Sequence, residues 1–273
     1  MRSKIVVFTD LDGTLLDHNS YSFEDAVPAL ELTRSLGIPV VICSSKTRAE
    51  IEYFRRKLDN REPFISENGG GIFIPKAYFN FDFNYSRETN EYKVVELGTR
   101  YETLVEVLNE IRRKTGLHIK GFSDMSVPEI ARKCGLSKEI AELAKMREYD
   151  EPFTVCEDER ASYLVKEEIK RMGFKYTEGG RFFHLTGDND KGKAVRILAK
   201  LFQSSFPELK TVGIGDSLND LHMLESVDIP ILVKKPDGKY DHRVKLDNLI
   251  LAGEEGPRGW NRAILNLLQK GET

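Results

Sequence analysis

Cysteine is scarce: Cys43, Cys134 and Cys156 are the only three in 273 residues. Such few, scattered thiols neither staple a fold nor form a thiolate zinc site, and they fit a reducing compartment. No apolar run approaches the ~20 residues that a bilayer-spanning helix needs. Met1-Arg2-Ser3-Lys4 leads into a short apolar stretch that does not read as a leader peptide. Neither charge is in excess, since 41 basic and 44 acidic residues leave a net charge of −3. That balance speaks against nucleic acid or an anionic membrane as partner. What is present, 40% apolar and 31% charged residues, is an ordinary globular composition. The length allows one large domain or two modest ones, each with a full core. A cytoplasmic protein, monomer or dimer, is expected.

Ile5-Val6-Val7-Phe8 is a continuous apolar run, the pattern of a strand buried on both faces. Helical spacing follows over 23–36, ending at Gly37, then a second strand at 38–43, a helix over 47–58 and a strand at 63–66. This alternation predicts a doubly wound, Rossmann-like parallel sheet in an α/β fold. It breaks near 80–90. A strand at 92–97, helices over 101–113, 127–134, 138–148 and 160–172, a strand at 153–156 and a hairpin over 174–186 then read as an α+β unit. The first grammar resumes with a helix over 191–202, a strand at 211–214, a helix over 218–226, a strand at 229–233 and a last helix carrying Trp260 on its apolar face. The expected organisation is a core of 1–85 and 187–273 interrupted by an inserted domain of 86–186.

The first strand ends in Asp10-Leu11-Asp12-Gly13-Thr14. Open parallel sheets bind ligands at the carboxyl ends of their strands. Two carboxylates one residue apart there, followed by glycine, suit metal-assisted phosphoryl transfer, with Asp10 as nucleophile and Asp12 as acid and base. The bland alternative is a loop of solvated aspartates. Strand two ends in Cys43-Ser44-Ser45-Lys46-Thr47, where a hydroxyl either meets a phosphoryl oxygen or caps the next helix. Lys191, with Lys193 as rival, opens a helix and can offset transition-state charge. Gly215-Asp216-Ser217-Leu218-Asn219-Asp220 follows the strand at 211–214, and its oxygens can complete a hard-cation site.

In order and spacing, these four segments resemble the motifs of the haloacid dehalogenase-like (HAD) phosphatase superfamily. The resemblance implies Asp10 as nucleophile and Asp12 as acid/base, Ser44, Lys191 and Asn219 as phosphate-side residues, and Asp220 behind them. It also implies Mg²⁺ held by Asp10, Asp216 and the backbone carbonyl of Asp12. The inserted block falls where this superfamily places its larger (C2-type) cap, which closes over the site and selects substrate. Many members carry Thr-Gly-Arg after strand two, whereas this chain has Ser44-Ser45-Lys46.

Segments 45–50, 66–70, 121–126, 147–153 and 179–185 resemble mannosyl-3-phosphoglycerate phosphatases within that superfamily. The implied substrate is a small phosphorylated sugar-glycerate. Glucosyl-3-phosphoglycerate, sucrose phosphate and phosphomutase chemistry are the alternatives within the fold, and a non-catalytic binding protein is the alternative outside it. Ser45, Lys46, Arg147 and Arg181 are candidate substrate contacts, the two arginines being equally readable as surface charges. Glu67 and Asn68 either bind sugar hydroxyls or anchor a turn. His184, alternating with apolar neighbours, reads as a core histidine, and His18 and His222 need no catalytic role.

Overall fold

The protein is described here from a computed structural model covering residues 5–156, 158–178 and 182–269. The first part of the chain forms β1 (Ile5–Thr9), α1 (Val27–Ser35), β2 (Val40–Cys43), α2 (Arg48–Lys57), β3 (Phe64–Ser66), β4 (Gly71–Pro75), β5 (Arg87–Glu88) and β6 (Tyr92–Glu96). Next come α3 (Tyr101–Thr115), β7 (Ile119–Gly121), α4 (Val127–Cys134), α5 (Lys138–Ala144), β8 (Glu151–Val155), α6 (Glu159–Arg171), β9 (Lys175–Glu178) and β10 (Phe183–Thr186). The last part forms α7 (Lys191–Ser205), β11 (Lys210–Gly215), α8 (Leu221–Leu224), β12 (Ile229–Lys234), β13 (Ile250–Glu255) and α9 (Gly256–Gln269).

One sheet runs β13-β12-β11-β1-β2-β3-β4-β6-β5. From β13 to β3 every pairing is parallel, and β4, β6 and β5 extend it antiparallel. Chain order reverses between β1 and β11, so a crevice opens there at the strands' carboxyl ends. Val6, Val7 and Phe8 are fully buried because both faces are covered. On one face, α1 and α9 pack Ala29, Trp260 and Ile264 against Val7 and Ile214; on the other, α7 packs Val195, Leu198 and Phe202 against Val6 and Phe8.

The second sheet, β7-β8-β10-β9, is wholly antiparallel. Leu104, Leu108 and Ile111 of α3 and Val165 and Ile169 of α6 close a separate core on it, while α4 and α5 form a satellite cluster around Ile130 and Ala141. Sheet membership differs from the expected boundary at 86: β5 and β6 pair into the large sheet. Tyr92 is buried there, edge-on to the stacked Phe64 and Phe73 rings. β4 and β13 carry no expectation from the sequence. Gly71–Pro75 is one apolar strand's worth of residues, but it follows β3 after a turn of one 3-10 helix and invites reading as loop. Among the described residues, no helix is long and apolar enough to cross a membrane.

Candidate active site

β1 ends where the chain turns sharply, and the residues just after it deliver two carboxylates to the crevice. Asp10 is 7% exposed, and its Oδ1 accepts from Lys191 Nζ at 2.7 Å. The same Nζ lies 2.7 Å from Asp220 Oδ1, so a lysine only 2% exposed is clamped between two acids. Lys193 instead pairs with Asp188 at the surface. Asp190 caps that helix by accepting from the Lys193 amide at 2.7 Å.

The loop after β11 brings two more acids, Asp216 and Asp220. Asp220 Oδ2 accepts from the amides of Asp216 and Ser217 at 3.0 and 3.2 Å, folding the loop back on itself. Carboxylate oxygens of Asp10, Asp216 and Asp220 then lie within 4.8 Å of one another. Burial pushes the Asp10 carboxyl up to about 7 against the pull of Lys191, with Asp220 and Asp12 adding to the push. Asp216 is held well above the ordinary range by burial and by its neighbours Asp220 and Asp10. One lysine thus leaves this acid cluster under-compensated, and two of its carboxylates resist ionisation. Gly13 adopts φ +76°, and a Cβ there would stand 3.1 Å from Asp216 Oδ2. A side chain at that position would crowd the space between the acids as well as strain the turn.

Such a donor set, all hard oxygens facing a residual negative charge, fits a small divalent cation. Asp220 has both oxygens engaged by Lys191 and backbone amides, so Asp10 and Asp216 are the side chains available to it. Asp12 points elsewhere. Its Oδ2 meets Lys46 Nζ at 3.0 Å, while Oδ1 is buried with no hydrogen-bond partner. An orphaned carboxylate oxygen beside the acid cluster marks a place where a ligand proton or cation belongs.

Ser44 is fully buried at the end of β2, and its hydroxyl accepts from the Lys46 amide at 3.3 Å. Capping of α2 falls to Thr47 in a capping box with Glu50, which frees Ser44 and Ser45 from that duty. Ser45 and Lys46 line a cleft of about 630 Å³ between the two sheets, with Asp10, Asp12 and Asp216 on its floor. Lys46 is nearly buried there, within 4 Å of both Asp12 and Glu50, and sits over the rings of Tyr21 and Phe54. Lys235, Arg243 and His18 also face the cleft, as does Asn219. Lys235 and Arg243 are both paired with Asp241. Asp241 also accepts from the Leu218 amide and so braces the loop that carries Asp216.

Glu67 and Asn68 lie in the turn between β3 and β4. Both adopt left-handed backbone, φ +48° and +56°, and both are buried. Glu67 accepts from the amides of Glu148 and Tyr149, tying the large sheet to the chain entering β8. Its carboxyl sits well above the ordinary range because it is buried, with Arg147 opposing that rise. Asn68 donates to Asp150 Oδ2 at 3.1 Å and accepts from Asn219 Nδ2 at 3.0 Å. The next residue, Gly69, has φ +87°, and a Cβ there would fall 2.2 Å from the Asp190 carbonyl oxygen. Arg147 is not a surface charge. It lines the cleft but donates to the carbonyls of Ser45 and Ala144 and lies 3.8 Å from both Glu67 and Asp150. Arg181 lies outside the described residues. His184 is not a core histidine: it lines the cleft with Nδ1 on the Asp150 carboxylate. Its alternation with Phe183 and Leu185 concealed this, and Asp150, 34 residues away in sequence, carried no local signal.

Residues 7–239 match the model of the haloacid dehalogenase-like hydrolase family. The chain is 51% identical over 267 residues to a glucosyl-3-phosphoglycerate/mannosyl-3-phosphoglycerate phosphatase of Methanococcoides burtonii, covering 98% of both chains. It is 40% identical over 228 residues to a mannosyl-3-phosphoglycerate phosphatase of Pyrococcus horikoshii, covering 84% of this chain and 90% of the relative. A haloacid dehalogenase-like hydrolase structure from Bacteroides thetaiotaomicron superposes with TM-score 0.68 at 18% identity, over 97% of this chain and 99% of that one. With the acids and lysine of its motifs gathered at one crevice, the chain belongs to the haloacid dehalogenase-like hydrolases, as a phosphoric monoester hydrolase.

Proposed function

We propose that this protein is a Mg²⁺-dependent phosphatase that hydrolyses mannosyl-3-phosphoglycerate to mannosylglycerate and phosphate through an aspartyl phosphate on Asp10. The observation that carries this reading is the Asp10–Lys191–Asp220 clamp with Asp216 beside it, set at the point where the order of the sheet reverses. Asp10 attacks phosphorus as the bond to the ester oxygen breaks, and Asp12 gives its proton to that departing oxygen. Water then attacks phosphorus as its bond to Asp10 breaks, and Asp12 takes a proton from that water, releasing phosphate and restoring both carboxyls. Lys191 offsets charge on the phosphoryl oxygens, and Ser44 and Asn219 are the further phosphate-side residues of this reading. Asp10, Asp216 and the backbone carbonyl of Asp12 would hold Mg²⁺, which supplies charge neutralisation and alignment when bound. The unit carrying β7 to β10 acts as the cap, contributing Arg147 and His184 to the cleft wall. Its boundary with the core is proposed near residue 99, after β6 rather than before it.

The sugar has a second reading. The Methanococcoides relative carries both glucosyl and mannosyl substrates in its name, and it is the more similar of the two relatives above. Phosphate release with Mg²⁺ and again with EDTA, on the mannosyl and glucosyl compounds, sucrose 6-phosphate and 3-phosphoglycerate, separates these readings. Strong turnover of either glycosyl-3-phosphoglycerate, abolished by chelation, is expected. Asp10→Asn should lose at least about a thousandfold in rate, since an amide cannot serve as this nucleophile. Equal slow turnover of all four compounds would remove the substrate assignment, and full activity of Asp10→Asn would remove the mechanism.

A further inference from the structure

Asp150 is a carboxylate with no exposed surface at the junction of the two sheets. Arg147 stands 3.8 Å from it, Glu67 lies at the same distance from that arginine, and Asn68 donates to Oδ2. His184 Nδ1, on β10, lies 2.9 and 3.1 Å from its two oxygens. A carboxylate can only accept, so Nδ1 carries the proton. Arg147 already faces the charge of Asp150, so the imidazole need supply only an N–H. The neutral ring that satisfies this arrangement has a bare Nε2 lone pair, and the side chain lines the cleft. This differs from the lysines and arginines of the cleft, His18 being its other imidazole. Lys46, Arg147, Lys235 and Arg243 are all donors, suited to the anionic half of a substrate and already facing carboxylates of the chain.

We propose that His184, held as the Nδ1–H tautomer by Asp150, is a specificity-determining residue whose Nε2 accepts a hydrogen bond from a sugar hydroxyl of the substrate. The proposal rests on the glycosyl-3-phosphoglycerate reading above and deepens it. An acceptor aimed at a hydroxyl discriminates strongly, because a substrate without that donor leaves a desolvated lone pair unpaired. His184 is a binding residue here, and Asp150 a positioning residue acting through it.

Two substitutions separate this from a structural role. His184→Asn ends near the position of Nδ1, so it can still donate to Asp150 while Nε2 is deleted. Asp150→Asn keeps an oxygen toward Asn68 at the Oδ2 position and puts an NH₂ at the Oδ1 position, so one of the two acceptors against Nδ1 becomes a donor and the hold on the Nδ1–H tautomer weakens. The readout is the ratio of kcat/KM for mannosyl-3-phosphoglycerate to that for 3-phosphoglycerate, which lacks the sugar, with KM and kcat followed separately. Both variants are expected to lower that ratio about tenfold or more, chiefly through KM of the glycosylated substrate. ¹⁵N spectra of histidine-labelled protein should show Nδ1 protonated and Nε2 bare in the wild type, with the Nε2-protonated form gained in Asp150→Asn. Equal loss on both substrates, an unchanged ratio, or a wild-type ring protonated at Nε2 would overturn the proposal. Wild type with no preference for the glycosylated compound would overturn the substrate reading itself, and this inference with it. A preference that survives His184→Asn overturns this inference alone.

Discussion

At the scale of single residues, the site is organised by Lys191. Among the described residues its ammonium group is the one cation that touches both Asp10 and Asp220, and it is buried. Removing one partner of a buried ion pair strands the others, which typically costs about 3–5 kcal/mol. Lys191→Ala is therefore expected to lose about 3 kcal/mol of unfolding free energy in urea as well as nearly all turnover. An unchanged denaturation midpoint would show that the acids find other compensation. The choice of Lys191 over Lys193 could not be made from Asn189-Asp190-Lys191-Gly192-Lys193 itself. Both lysines sit at one helix start, and only the direction in which α7 faces the sheet separates them.

At the scale of elements, turns and caps do the positioning. Thr47 caps α2 and also donates to the Leu143 carbonyl, so the helix start is pinned to the inserted unit. The segment after β12 is braced by Asp241, whose carboxyl is held far below the usual range by hydrogen bonds from Arg243 and Lys235. A carboxyl lowered in the folded state adds stability that is fully present above about pH 4 and drains away as pH falls toward the folded value. Asp241→Asn should thus lower stability at pH 7 by about 1–2 kcal/mol, and the deficit should shrink as denaturation is repeated below pH 4. A deficit independent of pH would mean that packing, and not charge, is what the substitution removes. Most elements were legible because their apolar period is unambiguous, as in α3 and α7. β4 escaped because its five residues follow a one-turn helix whose Glu67 and Asn68 have left-handed backbone. β13 escaped because Ile250 and Leu251 lie on an exposed edge and show no alternation.

For the whole molecule, three acids converge at one crevice with a single lysine among them in the described residues, and that repulsion is a standing cost of the fold. A cation that binds only the folded state stabilises it by mass action, about 2.7 kcal/mol at a hundred times its Kd. Mg²⁺ should therefore raise the thermal midpoint of the wild type by several degrees. Asp216→Ala should abolish that rise while leaving the metal-free midpoint at or above the wild-type value, because one repelling charge is gone. Loss of stability in metal-free Asp216→Ala would show that the aspartate contributes contacts and not repulsion.

The chain's own order of residues determined the doubly wound core, the interruption by a second unit and the four segments that meet at the crevice. Each of these is a local pattern: buried apolar runs that end in acids, and helices that begin with lysine or a cap. Tertiary structure alone decided that β5 and β6 join the large sheet, that Glu67 ties the two units together, and that His184 faces the cleft with Asp150 behind it. Those outcomes depend on pairings between residues tens of positions apart, and a buried carboxylate reveals its role only once its partners are packed around it.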